Sequence, residues 1–312
     1  MLKVLSLDRG EVMELLVCIK QVPDTSEIKL DPETNNLIRT GLPSIVNPYD
    51  MHALEAALTV KDQHPGSRVT VITMGPPQAE EALRHCLALG ADAAWLITDR
   101  AFGGADTLAT SYTIAEAIRY VENLIKAQFD MIFCGKQAID GDTAQVGPQI
   151  AEELGIAQAT YVCELSVHKE TNKVIVKREH EHGYEVLEAP LPLLVTATTD
   201  LNEPRMPGLW HSIAAKRSEI GHITLQDIPT IDHSRIGLGG SPTRVRKVYQ
   251  PPLRSKVNML SSIDEGVTNI LTLSGVLNED GDRVSDSVAE GHISTGSATG
   301  ATRQGTAAGG GQ

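Results

Sequence analysis

From residue 15 onward, short apolar runs alternate with longer segments whose apolar residues recur at helical spacing. Runs rich in Val, Ile and Leu predict buried strands at residues 15–20, 68–74, 93–98 and 129–134. Helices are predicted between them, beginning at Asn47-Pro48, at Pro76-Pro77 with a stop at Gly90, and over residues 105–127. Strands that alternate with helices of this length predict right-handed crossovers and a parallel, doubly wound sheet.

The second half of the chain has a different pattern. Short runs separated by turn residues predict a small antiparallel meander, at residues 162–168, 174–178 and 184–188, and a buried strand follows at 193–198. Residues 236–242 (IGLGGSP) predict a flexible or extended linker, and residues 262–277 predict an amphipathic helix. The predicted fold class is α/β: a doubly wound, mostly parallel sheet with a small antiparallel meander and an extended C-terminal arm.

These patterns divide the chain into an α/β domain at residues 13–235 and a C-terminal arm at 236–280. Residues 1–12 and 281–312 are predicted to be disordered extensions, the second because its end consists mostly of Gly, Ala, Ser and Thr.

Composition narrows the functional class. Aromatic residues make up only 4% of the chain, so the core must consist of Val, Ile, Leu and Ala, which suits parallel strands covered on both faces. A formal charge of -13 argues against nucleic-acid binding, which depends on Lys and Arg. The 4 cysteines lie far apart, without a CxxC pair, which favours a reducing compartment. No apolar run approaches the roughly 20 residues of a membrane span, so a cytoplasmic protein is expected.

The segment CGKQAIDGDTAQVGP, residues 134–148, is the strongest candidate for binding chemistry. It joins a predicted strand to a helix predicted at 145–154, so it occupies the carboxyl edge of the sheet, where open α/β sheets bind ligands. Gly135 and Gly141 permit tight turns, and Thr143 can cap the helix while nearby amides hold a phosphate. Lys136 can contact a diphosphate, and Asp140 suits ribose hydroxyls. An ordinary capped turn is the alternative, because the segment matches neither GxGxxG nor a P-loop.

Two clusters invite a metal assignment that their spacing does not support. His180 and His182 flank Glu181, and strand alternation would place both on one face, but nothing nearby completes a tetrahedral set. Residues 278–282 are an acidic turn without the spacing of an EF-hand loop. Solvated surfaces are therefore expected, with no metal site.

Several segments resemble the beta subunit of electron-transferring flavoproteins. Residues 135–148 (GKQAIDGDTAQVGP) resemble the adenine-nucleotide loop of that family. Further similar segments follow in family order: VCIKQVPD at 17–24, NPYD at 47–50, MGPPQAEEALRHCLALGAD at 74–92 and LNEPRMPGLWHSIAAKR at 201–217. The resemblance covers about residues 13–252 and is specific because several independent segments match.

The resemblance implies a set of nucleotide-contacting positions: Cys18, Asn47, Pro48, Tyr49, Asp50, Met74, Gly135, Lys136, Gln137, Ala138, Ile139, Asp140, Gly141, Asp142, Thr143, Ala144, Gln145 and Val146. Taken singly, Asn47-Pro48 can equally be a helix start, and Cys18 and Met74 packed strand ends. The segment at 201–217 corresponds to the family's docking loop for acyl-CoA dehydrogenases, in which Leu209 holds the position of the leucine anchor. The partner-binding residues expected from it are Leu201, Asn202, Glu203, Pro204, Arg205, Leu209 and Trp210, unless Leu209 and Trp210 fold into the protein's own core.

Members of this family form heterodimers with an alpha subunit that carries a redox-active FAD, and the C-terminal arm wraps around it. The beta subunit holds a structural AMP or, in the electron-bifurcating branch, a second FAD that accepts electrons from NADH. Residues 20–25 (KQVPDT), 101–107 (AFGGADT) and 141–148 (GDTAQVGP) are more similar to the bifurcating branch. That branch sends one electron to a low-potential acceptor and one to a dehydrogenase. The alternatives are a conventional carrier with AMP, or a nucleotide-binding regulator or hydrolase on the same scaffold. No catalytic side chain is expected.

Overall fold

The computed structural model describes residues 12–24, 43–244 and 260–277, and the chain divides into two units, residues 1–246 and 247–312. In the described residues the strands are β1 Glu14–Cys18, β2 Gln21–Pro23, β3 Ser44–Val46, β4 Arg68–Met74, β5 Ala93–Ile97, β6 Met131–Gly135, β7 Ala157–His168, β8 Lys173–His180, β9 Gly183–Pro190, β10 Leu193–Ala197 and β11 Gly221–Ile223. The helices are α1 Pro48–Gln63, α2 Glu80–Leu89, α3 Thr107–Ile125, α4 Val146–Leu154, α5 Leu209–Ala215 and α6 Ile263–Leu273. The predicted extensions at 1–12 and 281–312, except for residue 12, lie outside the described residues, as does the acidic turn at 278–282.

The first unit is built on a 9-stranded sheet in the order β11-β5-β4-β1-β6-β10-β7-β8-β9. Pairing is parallel from β11 to β7, and β8 and β9 continue the sheet antiparallel. The chain moves outward from β1 through β4 to β5 and then returns to β6 on the other side of β1. The predicted doubly wound parallel sheet with a small meander is therefore confirmed, and its topological switch point lies between β1 and β6.

Strand β1 shows why the apolar runs form the centre of the sheet. Leu15 and Val17 belong to the core on one face, whereas Leu16 and Cys18 belong to the core on the other. Helices α1 and α2 supply the first core and α3 and α4 the second. A strand covered on both faces must be apolar throughout, which explains its uninterrupted run.

The segment 236–242 differs from the predicted flexible linker. Ile236 is buried in the core of the first unit, and the Leu238 backbone N–H donates to the Gly103 carbonyl at 3.1 Å. The Ser241 hydroxyl accepts from the Asp106 backbone N–H at 2.8 Å. Gly237 has φ +56, and a Cβ there would lie 2.1 Å from the Ala101 carbonyl oxygen. The linker prediction was wrong because these glycines allow close backbone packing, which composition alone does not distinguish from flexibility.

The two histidines of residues 180–182 are also placed differently from the prediction. His180 ends β8, and His182 lies in the turn that leads into β9, so they do not share a strand face. Their rings meet edge to face at 5.9 Å. No group of side chains suited to hold a metal ion occurs among the described residues. Nor does that part of the chain contain a helix long and apolar enough to cross a bilayer.

The second unit contributes α6, close to the predicted helix at 262–277. Ser262 precedes it, and its hydroxyl accepts from the Glu265 backbone N–H at 3.2 Å, which is an ordinary N-cap. Within its unit the helix exposes a set of apolar side chains: Ile263, Val267, Ile270 and Leu273.

Candidate functional site

Segments distant in sequence meet at the carboxyl edge of the sheet, on both sides of the switch point. Cys18, near the end of β1, is the register partner of Cys134 on β6. Met74 ends β4, which is the other neighbour of β1, and the predicted nucleotide loop follows β6. The structure therefore brings the sequence-predicted positions to one edge, the place where open α/β sheets bind ligands.

Asp50, in the first turn of α1, accepts hydrogen bonds from the backbone at the ends of both strands that flank the switch point. Its Oδ2 accepts from the Lys20 backbone N–H at 2.7 Å, and its Oδ1 accepts from the Gly135 N–H at 3.1 Å. Burial raises the pKa of this carboxyl to about 7. A Cβ on Gly135 would lie 2.3 Å from Asp50 Oδ1, so only glycine fits where the helix approaches β6.

Asn47, immediately before α1, fixes the loop that follows β6. Its side-chain amide donates to the Gln137 carbonyl at 2.8 Å and accepts from the Ile139 N–H at 3.1 Å. The residue is 1% exposed and makes no side-chain cap to its own helix. Asn47 and Asp50 thus use their side chains on the protein's own backbone and position the loop, and direct contacts from them to a nucleotide stay a prediction.

The exposed part of the loop has a strained backbone conformation. Asp142 and Ala144 have φ +51 and +52, in the left-handed region that non-glycine residues seldom adopt. In the described part of the chain, no hydrogen bond engages the backbone N–H of Thr143 or Ala144. Strain of this kind concentrates at ligand sites, and successive free amides form anion-binding concavities. Gln145, not Thr143, occupies the cap position of α4, so the prediction of a Thr143 cap was wrong: the left-handed Ala144 delays the helix start.

Two helix N-termini converge beside this loop. The hydroxyl of Thr107, the first residue of α3, donates to the Gln145 side chain at 3.0 Å, and the Ser111 hydroxyl reaches the Val146 carbonyl at 3.3 Å. Asp106 caps α3 by accepting from the backbone N–H groups of residues 108 and 109, each at 3.1 Å. The AFGGADT segment is therefore a capped turn, and it also places a second positive helix end near the loop.

The charged side chains of the loop are engaged differently from what the sequence predicts. Asp140 forms an exposed ion pair with Lys20, whose Nζ lies 2.7 Å away, so a ribose contact would compete with that pair. The Lys136 ammonium lies 5.0 Å from the centroid of the Tyr161 ring and 3.9 Å from Glu179. Both side chains therefore have partners within the protein itself.

Two features of this edge escaped sequence reasoning. Tyr161 has φ +57 at the irregularity where β7 changes from parallel to antiparallel pairing, and its N–H donates to Thr196 Oγ1 at 2.9 Å. Cys18 and Cys134 are register partners on adjacent strands, and the neighbouring Cys18 side chain, followed by burial, raises the pKa of the Cys134 thiol. Only the strand register reveals the cysteine pair, and nothing in the local sequence marks the strained tyrosine.

The predicted partner-binding segment, residues 201–217, has an inner and an outer part. Leu201 packs against the core and Asn202 hydrogen bonds with His52 on α1, so both face the body of the protein. Leu209 and Trp210 are 72% and 79% exposed, and Met206, earlier in the same segment, is 86% exposed. The alternative that Leu209 and Trp210 fold into the core is therefore wrong. An exposed apolar cluster of this kind is typical of a protein-binding surface.

Comparison with known proteins agrees with this geometry. The model of the electron transfer flavoprotein domain family matches residues 34–227. The electron transfer flavoprotein subunit beta of Megasphaera elsdenii is 54% identical over 245 residues, which cover 78% of this chain and 89% of that protein. The caffeyl-CoA reductase-Etf complex subunit CarD of Acetobacterium woodii is 49% identical over 80% of this chain and 92% of its own length. Protein FixA of Azorhizobium caulinodans is 48% identical over 78% of this chain and 86% of its own length.

Proposed function

The chain belongs to the electron transfer flavoprotein family, as a beta subunit, and from that premise we propose that it binds FAD at the β1–β6 edge and accepts electrons from NADH. It does so in a heterodimer with an alpha subunit. It passes one electron to a low-potential acceptor and one, through the alpha subunit, to an acyl-CoA dehydrogenase. Its location is the cytoplasm.

The observation that carries the proposal is the conformation of residues 142–145. Asp142 and Ala144 are left-handed, and in the part of the chain that the structure describes the backbone N–H groups of Thr143 and Ala144 make no hydrogen bond, beside the contact between the N-termini of α3 and α4. A diphosphate fits this donor set, because backbone N–H groups and positive helix ends both favour an anion. A Cβ on Gly141 would meet no atom within 4 Å, so the loop backbone is also open to close approach by a ligand.

The chain's own residues bind and orient the cofactor and perform no acid, base or nucleophilic step. Asn47 and Asp50 keep the loop and the strand ends at a fixed separation, so the free amides are in place before a ligand arrives. A bound FAD supplies hydride acceptance and one-electron transfer.

The proposed partners occupy different surfaces. The exposed Leu209 and Trp210 suit docking of a dehydrogenase, because aromatic and aliphatic anchors dominate many interfaces. The apolar face of α6, within the predicted arm at 236–280, suits the alpha subunit, whereas residues 236–242 of that arm pack against their own unit. The Acetobacterium woodii relative is named as a subunit of a complex with a reductase, which supports an assembly of this kind here.

AMP is the second candidate ligand, because the same free amides suit the single phosphate of a structural AMP. In that case all the redox chemistry lies in the alpha subunit, and the chain is part of a conventional electron carrier.

Anaerobic titration with NADH tests the proposed electron donor. The complex purified with its alpha subunit should lose the absorbance of all its flavin as NADH is added. An Asn47→Ala complex, in which the loop loses both side-chain hydrogen bonds, should retain less FAD and consume less NADH. If NADH leaves the flavin of the wild-type complex oxidised, the proposed donor is wrong.

A further inference from the structure

The segment 202–218 is fixed to the body of the protein at both ends, and its exposed apolar side chains lie between the two attachments. We propose that Glu55 on α1 and Arg84 on α2 are positioning residues that hold this segment so that Leu209 and Trp210 face a partner in one orientation. The inference rests on the docking role proposed above and assigns residues outside the docking segment to it.

Glu55 makes the attachment at the N-terminal end. Its carboxylate accepts from Arg205 three times: from the backbone N–H at 3.0 Å, from Nε at 2.8 Å and from Nη2 at 2.9 Å. Glu55 is 8% exposed, so its charge requires this partner, and the fork of two side-chain bonds fixes the direction of the arginine. Asp62, two turns farther along α1, accepts from the same guanidinium at 2.9 Å.

His52 and Asn202 reinforce this end. The Asn202 side chain donates to the His52 carbonyl at 2.9 Å, and the His52 ring nitrogen Nδ1 lies 2.9 Å from the Asn202 carbonyl oxygen. The segment thus meets one face of α1 over consecutive turns, in the helix whose first turn also holds the nucleotide loop.

Arg84 makes the attachment at the C-terminal end. Its Nη1 donates to the carbonyl oxygens of Ala215 at 2.9 Å, Lys216 at 3.3 Å and Ser218 at 3.2 Å. Carbonyl groups at the end of a helix lack intrahelical partners, so a guanidinium is well suited to satisfy them. Glu80 pairs with Arg84 and holds the guanidinium in place.

The part between the attachments depends on them. Helix α5 has 7 residues, and helices shorter than about 12 residues are marginal without tertiary contacts. Gly208 precedes α5 without a side-chain cap, and Leu209 and Trp210 open the helix with most of their surface in solvent. Without the Glu55 and Arg84 contacts, these side chains would be ordered only on meeting the partner, and that ordering costs affinity.

Hydrogen exchange and kinetics together test the proposal. The full chain, purified with its alpha subunit, is compared with Glu55→Gln and Arg84→Gln complexes. The matched control is Lys61→Gln. Lys61 lies on the same helix α1, but its ion pair is with Asp92, outside the segment. Weakening either charge-assisted attachment predicts about tenfold faster exchange of residues 203–214 and about tenfold higher KM for the dehydrogenase, with kcat within about twofold. The control should match wild type in both.

The outcomes distinguish a failure of the positioning role of Glu55 and Arg84 from a failure of the proposed docking function. Unchanged exchange in both the Glu55→Gln and Arg84→Gln complexes overturns the inference. So does faster exchange with unchanged KM, provided that Leu209→Ala raises the KM. If Leu209→Ala leaves the KM unchanged as well, the docking function itself fails and the inference with it. Because the two attachments are independent, one variant that does not assemble leaves the other to decide the result.

Discussion

The proposed nucleotide loop at 135–146 and the proposed docking segment at 202–218 are both attached to α1, but they present different chemistry. The loop presents backbone amides, and the side chains that matter to it, Asn47 and Asp50, are buried beneath it. The docking segment presents apolar side chains, with the attachments at its ends. Substitutions should therefore act on the loop mainly through buried residues and on the docking segment mainly through exposed ones.

The largest expected effect is that of Gly135→Ala, which tests whether the loop depends on the close packing of α1 against the end of β6. The new Cβ would lie 2.3 Å from Asp50 Oδ1 and 2.7 Å from Tyr49, so α1 or β6 must move. We expect a loss of about 3 kcal/mol in the free energy of unfolding and loss of the bound nucleotide. Gly141→Ala is the matched control, since its Cβ meets nothing within 4 Å and should change stability by less than about 0.5 kcal/mol. Equal effects in urea denaturation would contradict the account.

Asn47→Ala sharpens the same contrast. It leaves the Gln137 carbonyl and the Ile139 N–H without their side-chain partner, which predicts a loss of about 2 kcal/mol and weaker nucleotide retention. Thr143→Ala, in the exposed loop itself, removes no observed hydrogen bond of the described residues and should retain the nucleotide. The nucleotide content of the two variants is measured after extensive dialysis. An equal loss of nucleotide in Thr143→Ala and Asn47→Ala would contradict the claim that buried residues control the loop.

Leu209→Ala should act in the opposite way, on binding rather than on folding. The side chain is 72% exposed, so stability should change by less than about 0.5 kcal/mol. Truncation of an anchor in an interface predicts about a tenfold rise in the KM for the dehydrogenase, with flavin content unchanged. Leu124→Ala, at an exposed leucine on α3, is the control. An unchanged KM for the dehydrogenase would show that Leu209 does not act as a docking anchor.

The smallest effect is a pH dependence that originates at Asp50. Burial raises its pKa from 3.8 to about 7 in the folded state, so between these values the folded protein holds a proton that the unfolded chain has released. Stability from this group is complete at low pH and is lost as the pH rises through 7. Relative to Asp50→Asn, the wild-type complex should lose about 1 kcal/mol between pH 6 and pH 7. Parallel pH profiles in urea denaturation would show that Asp50 does not titrate there.

The sequence predicts those parts of the fold that rest on local pattern. The apolar runs identify the parallel strands, because strands covered on both faces need such runs, whereas the strand order that defines the switch point is seen only in the structure. The loop after β6 is predicted at the ligand edge for the same reason. Gly90, predicted to stop α2, does so with φ +122.

Features that depend on tertiary contacts were not predictable. The sequence predicts Asn47 as a helix cap, but its side-chain amide donates a hydrogen bond to a loop 90 residues away. The left-handed Ala144 keeps Thr143 out of the cap position of α4, and nothing in the loop sequence marks that conformation. The glycines of 236–242 indicate flexibility in isolation, whereas here they let the backbone pack tightly. The attachments made by Glu55 and Arg84 likewise join segments more than 100 residues apart.

The most direct test of the central claim is the nucleotide content of the complex purified with its alpha subunit. The account predicts FAD in both subunits and no AMP, with the FAD of this chain lost in the Gly135→Ala complex. FAD in the alpha subunit alone, together with AMP bound to this chain, would contradict it and give the loop at 135–146 a purely structural role.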